Sequence, residues 1–479
     1  MESAGIQFIL STGLQDESEQ PEIRKAIRRH VMLGRNRGKS YPDRRKPIRK
    51  RVPLPGTNAK IVPVFSTIEM NSLKIPKQVG SDLSSLPWAG GVDVPTIAVI
   101  MKFSSLTKSE TFPIEVFLDQ PPKDIRWLEP LLSDAAWVHT MAFSAHAYFD
   151  VLSHRNTRPN NEWASPHFTE TLHILRERMR LSEDIATSNS TLLVVVALTT
   201  HAILHGEFEV ARCHVRGLHR IVHLRGGIDT FRPYHKLLAE ILRADISLSL
   251  HTGALPLFFQ DSVPSGTHWR YPQIPSQPVM GYTCINTYSA LSRDTIGCID
   301  RDLEDVLAVL NEFSQQVNRA TAVNGRLPKE LLLDTMVFVM YRLLYLRFTS
   351  GSLDEVTRVG LLVFCFGTFV QWRQVVPVPS SFLATLLREN LAYLENPDIS
   401  PQFTFWMLTM GALTVFTSES IWLHPWLRTS MMACGVDSWG GVSEILHWFP
   451  WVDILHDEPG RDLFAELSTS AKRLSPVGQ

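Results

Sequence analysis

The chain has 479 residues, of which 44% are hydrophobic and 20% charged, and its formal net charge at neutral pH is -1. This composition excludes a wholly disordered protein, and no apolar run reaches the roughly 20 uninterrupted residues that cross a bilayer. The five cysteines are scattered and never form a C-x-x-C pair, which excludes a six-cysteine binuclear zinc cluster and a disulfide-stapled domain.

The near-neutral total hides a strong asymmetry of charge. Residues 1–23 carry five acidic side chains and no Lys or Arg, whereas residues 24–51 carry thirteen Lys or Arg and a single acid, Asp43. Residues 52–479 have 34 basic and 42 acidic side chains. A cationic segment attracts a phosphate polymer by releasing its condensed counterions, while an acidic body is repelled by it. We therefore expect any contact with nucleic acid to be local to the basic segment.

The first predicted element is a short basic helix over residues 18–33, because Ser18 can cap it, apolar residues recur every four positions and Gly34 can end it. The segment has three interpretations: a nuclear import signal, a DNA-phosphate contact, and an ordinary solvated face, which rarely holds so many cations. The candidate DNA contacts are Arg24, Lys25, Arg28, Arg29, Arg35, Arg37 and Lys39, and the candidate import residues are Arg44, Arg45, Lys46, Arg49, Lys50 and Arg51.

A Pro-, Gly- and Ser-rich linker follows to about Leu86, with Lys60–Phe65 and Thr96–Phe103 as short strands or extended segments. We assign residues 1–105 to a basic, mostly extended or disordered N-terminal region and residues 106–479 to a large all-α regulatory domain. In that domain apolar residues recur every three or four positions. The pattern predicts helices over Ser165–Leu181, Thr187–Leu204, Glu207–Leu224, Lys236–His251, Asp302–Ala322, Lys329–Thr349, Val356–Val375, Ser380–Tyr393, Phe403–Ser418 and Arg461–Leu474.

The sequence contains no complete motif for a metal site or for a catalytic site. Histidines stand four apart at 201/205 and 219/223, but neither pair has the H-E-x-x-H register or an obvious third zinc ligand. The acids of residues 300–305 are typical of a helix start. Nucleophile-elbow and phosphate-loop motifs do not occur, so we assign no catalytic residue, metal ligand or cofactor. The twelve tryptophans fit core packing better than a ligand pocket.

Two parts of the chain resemble a known family. One is the basic opening, Phe8-Ile9 with residues 23–32 and 34–39, and the other is a run of body segments. Together they are similar to the fungal-specific transcription-factor-like family, whose members are often labelled C6 transcription factors or "tachykinin family" proteins. The body segments that carry the resemblance are residues 147–153, 171–178, 211–218, 224–228, 243–245 and 253–256.

The resemblance implies a nuclear regulatory protein of a fungus, with the α-helical domain found downstream of binuclear zinc clusters. This chain lacks the cluster, so the expected regulator or co-regulator acts through its basic arm or through a DNA-binding transcription factor as partner. Its helical domain is expected to mediate homo- or heterodimerisation, partner contact or effector sensing, with no membrane role, and a metabolic or secondary-metabolite pathway is the expected target. The alternatives are an α-helical small-molecule binder or enzyme with a nuclear localisation signal, and a degenerate regulator that pairs with an intact relative.

Overall fold

The computed structural model describes residues 86–107, 112–118, 129–152, 164–259, 295–370, 382–396, 399–416 and 420–474. The chain divides into two units, Met1–Lys77 and Gln78–Gln479, and every described residue belongs to the second. The predicted basic helix over residues 18–33 and the segment Lys60–Phe65 lie outside the described residues.

The described part is all-α, which confirms the predicted fold class. A single backbone bridge, between Leu118 and Leu327, is the only extended pairing in these ranges. None of the helices described is both long enough and apolar enough to span a membrane. The α-helices are α1 (Val94–Leu106), α2 (Glu129–Ser133), α3 (Ala135–Leu152), α4 (Ala164–Arg178), α5 (Glu183–Ala186), α6 (Asn189–Leu204), α7 (Phe208–Leu224), α8 (His235–Thr252), α9 (Arg301–Ala322), α10 (Lys329–Tyr345), α11 (Leu353–Cys365), α12 (Phe382–Leu391), α13 (Pro401–Thr414), α14 (His424–Ala433), α15 (Trp439–Leu446) and α16 (Asp453–Leu474).

Helix α1 corrects one prediction, because Thr96–Phe103 is helical and not a strand or an extended segment. The β-branched residues of this stretch favour strands when the sequence is considered alone. In the structure the Asp93 side chain accepts a hydrogen bond from the Thr96 backbone N–H at 3.0 Å, which caps the helix. Ile97 and Ile100 are then buried with residues of α3 in one apolar cluster. Capping and tertiary burial therefore override the local strand preference.

The C-terminal helix α16 is longer than predicted. It begins at Asp453, eight residues before the predicted start, and Pro459 lies inside it. A proline inside a helix removes one backbone hydrogen bond, which is why the sequence pattern placed the start after it. Helix α16 packs against α9, α13, α14 and α15, and these contacts stabilise the turns on both sides of the proline.

The core is built around two helices that are buried on every side. In α11 all residues from Glu355 to Cys365 are buried, among them the ion pair of Arg358 with Glu355, and in α13 all residues from Phe403 to Ala412 are buried. A helix without a solvent-exposed face must be surrounded by other helices. Accordingly, α11 contacts α9, α10, α12 and α13.

Helix α8 brings two opposite charges into this core. The Arg243 guanidinium lies 2.6 Å from Glu115 and 3.0 Å from Glu240, and it donates to the Phe369 carbonyl at 2.9 Å. The Asp245 carboxylate accepts from the backbone N–H groups of Leu257 and Phe258 and from the Tyr341 hydroxyl. Asp245 is 1% exposed, and its burial raises its pKa to about 6 although the three hydrogen bonds favour the charged form. Each buried charge is thus paired with groups from distant parts of the chain.

We predict that Asp245→Asn lowers the free energy of unfolding by about 2 kcal/mol, because the amide NH2 must face a backbone donor and leave it unpaired. Tyr341→Phe removes one of three donors and should cost about 1 kcal/mol. Urea-induced unfolding of the full chain, followed by circular dichroism at pH 7.5, measures both values. A loss of stability for Asp245→Asn that is no larger than the loss for Tyr341→Phe would contradict the acceptor role of Asp245.

Candidate functional site

The residues predicted to contact DNA and to direct import all lie outside the described residues. The structure therefore neither places Arg24–Lys39 and Arg44–Arg51 nor brings any of them together, and their roles stay predictions. The helical body carries candidate surfaces of its own, and each is built from described side chains.

Helix α7 has a sharp division between an apolar and a polar side. Its apolar side packs on α6 and α8. The helix ends where Gly226 and Gly227 take φ values of 94° and 97°, and the Gly227 N–H donates to the Val222 carbonyl at 2.9 Å. Such positive φ values favour glycine. The buried residues are Ala211, Val215, Leu218, Ile221 and Val222, as the sequence pattern predicts for this helix.

The opposite side of α7 is cationic. Arg216 and Arg220 are exposed, and neither makes an ion pair with another described residue; His219 and His223 are exposed beside them. Arg212, nearer the N-terminus, lies 3.4 Å from Glu209. The two free arginines stand four residues apart, about 6 Å along the helix axis. We name Arg216, His219, Arg220 and His223 the α7 basic face, and its chemistry suits phosphate or carboxylate groups.

Arg225, next to the α7 basic face, has a structural role instead. The Arg225 guanidinium donates to the Asn189 side chain at 2.5 Å and to the Thr187 carbonyl at 3.2 Å, and it stacks on the Phe231 ring. Arg225 therefore joins the end of α7 to the start of α6 and is not available to a partner.

The two histidine pairs noted in the sequence have different surroundings. The His201 ring packs edge-on against Phe143, with 5.3 Å between centroids, and lies 5.4 Å from Phe168 and 4.1 Å from His205. Burial, and secondarily the nearby His205, lowers the pKa of His201 to about 4. The His219 and His223 rings belong to the exposed α7 basic face. Neither pair meets a third metal-binding residue in the described part of the chain.

A further histidine cluster was not anticipated from the sequence. His139 of α3 and His167 of α4 place their Nδ1 atoms 2.8 Å apart, so one ring donates to the other. The His146 ring stacks parallel to His167 at 6.4 Å. Burial lowers the pKa of all three histidines. These rings are therefore favoured in their neutral forms between α3 and α4.

The described residues hold one group with the spacing of metal ligands: His447, Asp453 and Asp457. It lies where α15 ends and α16 begins. Burial opposes the charge on His447, but its hydrogen bonds to Asp453 and to the Ser443 carbonyl raise its pKa overall. Sequence analysis missed the group because its members are separated by a turn between two helices. The H-x5-D-x3-D spacing was the available signal, and it is too common to be diagnostic.

Two tryptophans line an open pocket. Trp422 and Trp426, with Arg388, Leu391 and Ala392, line a shallow surface depression of about 480 Å³ that is largely open to solvent. The Arg388 guanidinium lies 4.8 Å from the centre of the Phe416 ring and 6.0 Å from that of Trp422. Trp406 and Trp451, by contrast, are fully buried, as expected for core packing. The pocket thus combines aromatic walls with one cation.

Comparisons with known proteins give no assignment. No family model matches this sequence, and neither a curated protein nor a solved structure matches it. The family resemblance noted in the sequence therefore stays a prediction.

We predict that acid destabilises the body through His201. A folded-state pKa below the ordinary value means that the unfolded chain binds more protons at His201 than the folded chain does. The stability that neutral His201 contributes is therefore fully present above pH 6.5 and is lost as the pH falls towards 4. The loss amounts to up to about 3 kcal/mol. His201→Phe should reduce the pH dependence of the urea midpoint between pH 7 and pH 4.5.

His173→Gln, which changes an exposed histidine of α4, is the control and should leave the pH dependence as in the parent chain. The raised pKa of Asp245 makes its contribution to the free energy of unfolding larger at low pH, which is the opposite pH dependence to that of His201. Asp245 is present in both variants, so its contribution cancels in the comparison. A pH profile of His201→Phe that coincides with that of the parent would refute the assignment.

Proposed function

We propose that this protein is a nuclear transcriptional regulator or co-regulator that associates with DNA through its basic N-terminal segment. The observation that carries the proposal is the separation of charge, with thirteen Lys or Arg and one acid in residues 24–51 on an acidic remainder. An ordinary surface rarely reaches this excess. The resemblance of the basic opening and of several body segments to the transcription-factor-like family supports the same function.

The expected DNA contact is electrostatic. Seven cations between Arg24 and Lys39 can replace condensed counterions on a duplex, whereas the acidic body is repelled. Contacts of this kind position a protein on DNA without reading its sequence. Choice of target would then depend on a partner that binds specific DNA, or on a limited number of base contacts from the arm. The cations between Arg44 and Arg51 supply the import signal in this proposal.

The α-helical body supplies the regulatory part. Its α7 basic face offers a second cationic surface, with Arg216 and Arg220 free of ion pairs to described residues. Although the body is acidic as a whole, this local surface can bind an anionic group of an acidic partner, and homo- or heterodimerisation is part of the proposed role.

A second candidate function is a small-molecule binder, with the basic segment as a localisation signal only. The observation that favours it is the open pocket formed by Arg388, Trp422 and Trp426. Aromatic walls of this kind suit a ligand with an apolar or aromatic body. The same pocket would serve effector sensing if the protein is a regulator.

We predict a steep salt dependence for binding of the full chain to a mixed-sequence duplex of about 20 base pairs. Seven phosphate contacts give a slope of log K against log salt of about -6. Changing the seven cations of residues 24–39 to Gln should remove most of this slope in a fluorescence-anisotropy titration. Arg216→Gln with Arg220→Gln, made in the parent chain, separates the contribution of the α7 basic face. An unchanged slope in the seven-residue variant would exclude the arm as the phosphate contact.

We also predict separate phenotypes for the two cation groups in the native cells. With residues 24–39 neutralised, the tagged protein should enter the nucleus but lose its promoter peaks in genome-wide chromatin occupancy. With Arg44–Arg51 neutralised, it should be depleted from the nucleus, and a heterologous import signal should restore both entry and peaks.

Three other outcomes would change the proposal. Peaks that persist without the cations of 24–39 would assign recruitment to the helical body and a partner. Normal localisation and normal occupancy in both variants would refute the roles of both groups. If the parent chain itself gives no peaks, the small-molecule binder becomes the better hypothesis.

A further inference from the structure

The group His447, Asp453 and Asp457 lies at the junction of two helices. His447 follows the last residue of α15, and Asp453 and Asp457 occupy the first two turns of α16. Residues four apart share a helix face, so both carboxylates point to the same side. His447 Nε2 lies 2.9 Å from Asp453 Oδ1, and one donor atom from each residue lies within 4.8 Å of the other two.

Two of the three side chains, His447 and Asp457, are oriented by a further hydrogen bond. His447 Nδ1 lies 2.6 Å from the Ser443 carbonyl oxygen, which can only accept, so Nδ1 carries a proton. Nε2 in turn donates to the Asp453 carboxylate, and a metal ion binds at Nε2 by displacing that proton. The Trp451 indole N–H donates to Asp457 Oδ1 at 2.8 Å and leaves Oδ2 free for another partner. A backbone carbonyl that accepts from the second ring nitrogen is one of the partners that orient metal-ligating histidines in proteins.

The turn that carries these residues is anchored to the core. Trp451 is 1% exposed. Asn318 of α9 accepts a hydrogen bond from the Asp453 backbone N–H and donates one to the Trp451 carbonyl, each at 2.9 Å. The ligand atoms are therefore held by α9, α15 and α16 together, and little ordering is needed before an ion binds.

The local charge also favours a cation. Two carboxylates face a single imidazole, and no Lys or Arg of the described chain forms an ion pair with Asp453 or Asp457. The side chains of His447 and Asp453 are 30% and 40% exposed, so an ion and its water ligands can reach them. A plain His447–Asp453 ion pair would use one carboxylate, whereas Asp457, held by the Trp451 N–H, brings a second carboxylate next to the same imidazole.

The types of ligand atom, one imidazole nitrogen and two carboxylates, and the short distances between them favour one class of metal ion. Metal–ligand bonds of 2.0–2.2 Å at tetrahedral angles place ligand atoms about 3.3 Å apart. The 2.9 Å separation of His447 Nε2 and Asp453 Oδ1 reaches that value with a small side-chain rotation. Ca²⁺ prefers six to eight oxygen ligands at longer distances, and Mg²⁺ prefers oxygen and water, so neither suits an imidazole in a compact group.

We propose that His447, Asp453 and Asp457 form a binding site for a divalent transition ion of the Zn²⁺ class. Three protein ligands leave at least one coordination position for water. The ion joins the end of α15 to the start of α16, and through Asn318 it stabilises their attachment to α9. The site is independent of the basic segment and of the DNA contact proposed above.

The test uses the purified full chain, treated with EDTA and dialysed, with ZnCl2 as the titrant in isothermal calorimetry. We expect one saturable site that is weakened about tenfold or more by Asp457→Asn and by His447→Gln. Asp457→Asn keeps an oxygen for the Trp451 N–H, so its circular dichroism and urea midpoint without metal should match those of the parent. His173→Gln and Asp462→Asn change exposed residues outside the group and should bind Zn²⁺ as the parent does.

Co²⁺ provides a second readout, because its visible absorption reports the coordination geometry and is independent of any activity. The parent should show the intense bands of a four- or five-coordinate ion, and Asp457→Asn should lose them. Absence of a saturable site in the parent, or equal affinities in the parent, Asp457→Asn and His447→Gln, would overturn the proposal and leave the His447–Asp453 ion pair alone.

Discussion

The structure depends on the rule that a charge buried in a protein must be paired. Helix α8 carries Arg243 and Asp245 into the interior, and the two side chains have separate partners. Arg243 connects α8 to residues 112–117 and to the π-helical turn Phe366–Val370 that follows α11. Asp245 connects α8 to the segment that follows it and to Tyr341 of α10. Because removing one partner of a buried ion pair costs several kcal/mol, the pairs made by Arg243 permit few alternative packings of the body.

The candidate binding surfaces lie on the outside of the helical body, away from the helices that form its interior. Helices α11 and α13 fill the centre mainly with apolar side chains, and the charges buried there, such as Arg358 and Glu355 of α11, are paired with each other. The α7 basic face, the Arg388 pocket and the His447 group all lie at the periphery, where helices end or face solvent. Changes at one of these surfaces should therefore have small effects on the others, since sites without shared partners usually act independently.

The sequence predicted those features that depend on local periodicity. Helix α7 was placed within one residue of its observed start, because its buried residues recur at helical spacing. Thr96–Phe103 was misassigned, because its helix depends on the Asp93 cap and on burial against α3. The group of His447, Asp453 and Asp457 was not found, because it forms only when the turn between α15 and α16 brings the residues together. Long-range contacts of this kind leave no periodic signal in a single sequence.

One feature of α7 bears on how the protein could change over evolutionary time. Its fold is specified by five buried residues, whereas its outward side makes few contacts, and the space next to Gly217 is open. Substitutions on that side can add or remove charge with little effect on stability. The affinity of this surface for an anionic partner is therefore free to drift in small steps, and related chains could diverge in their partners while keeping the same core.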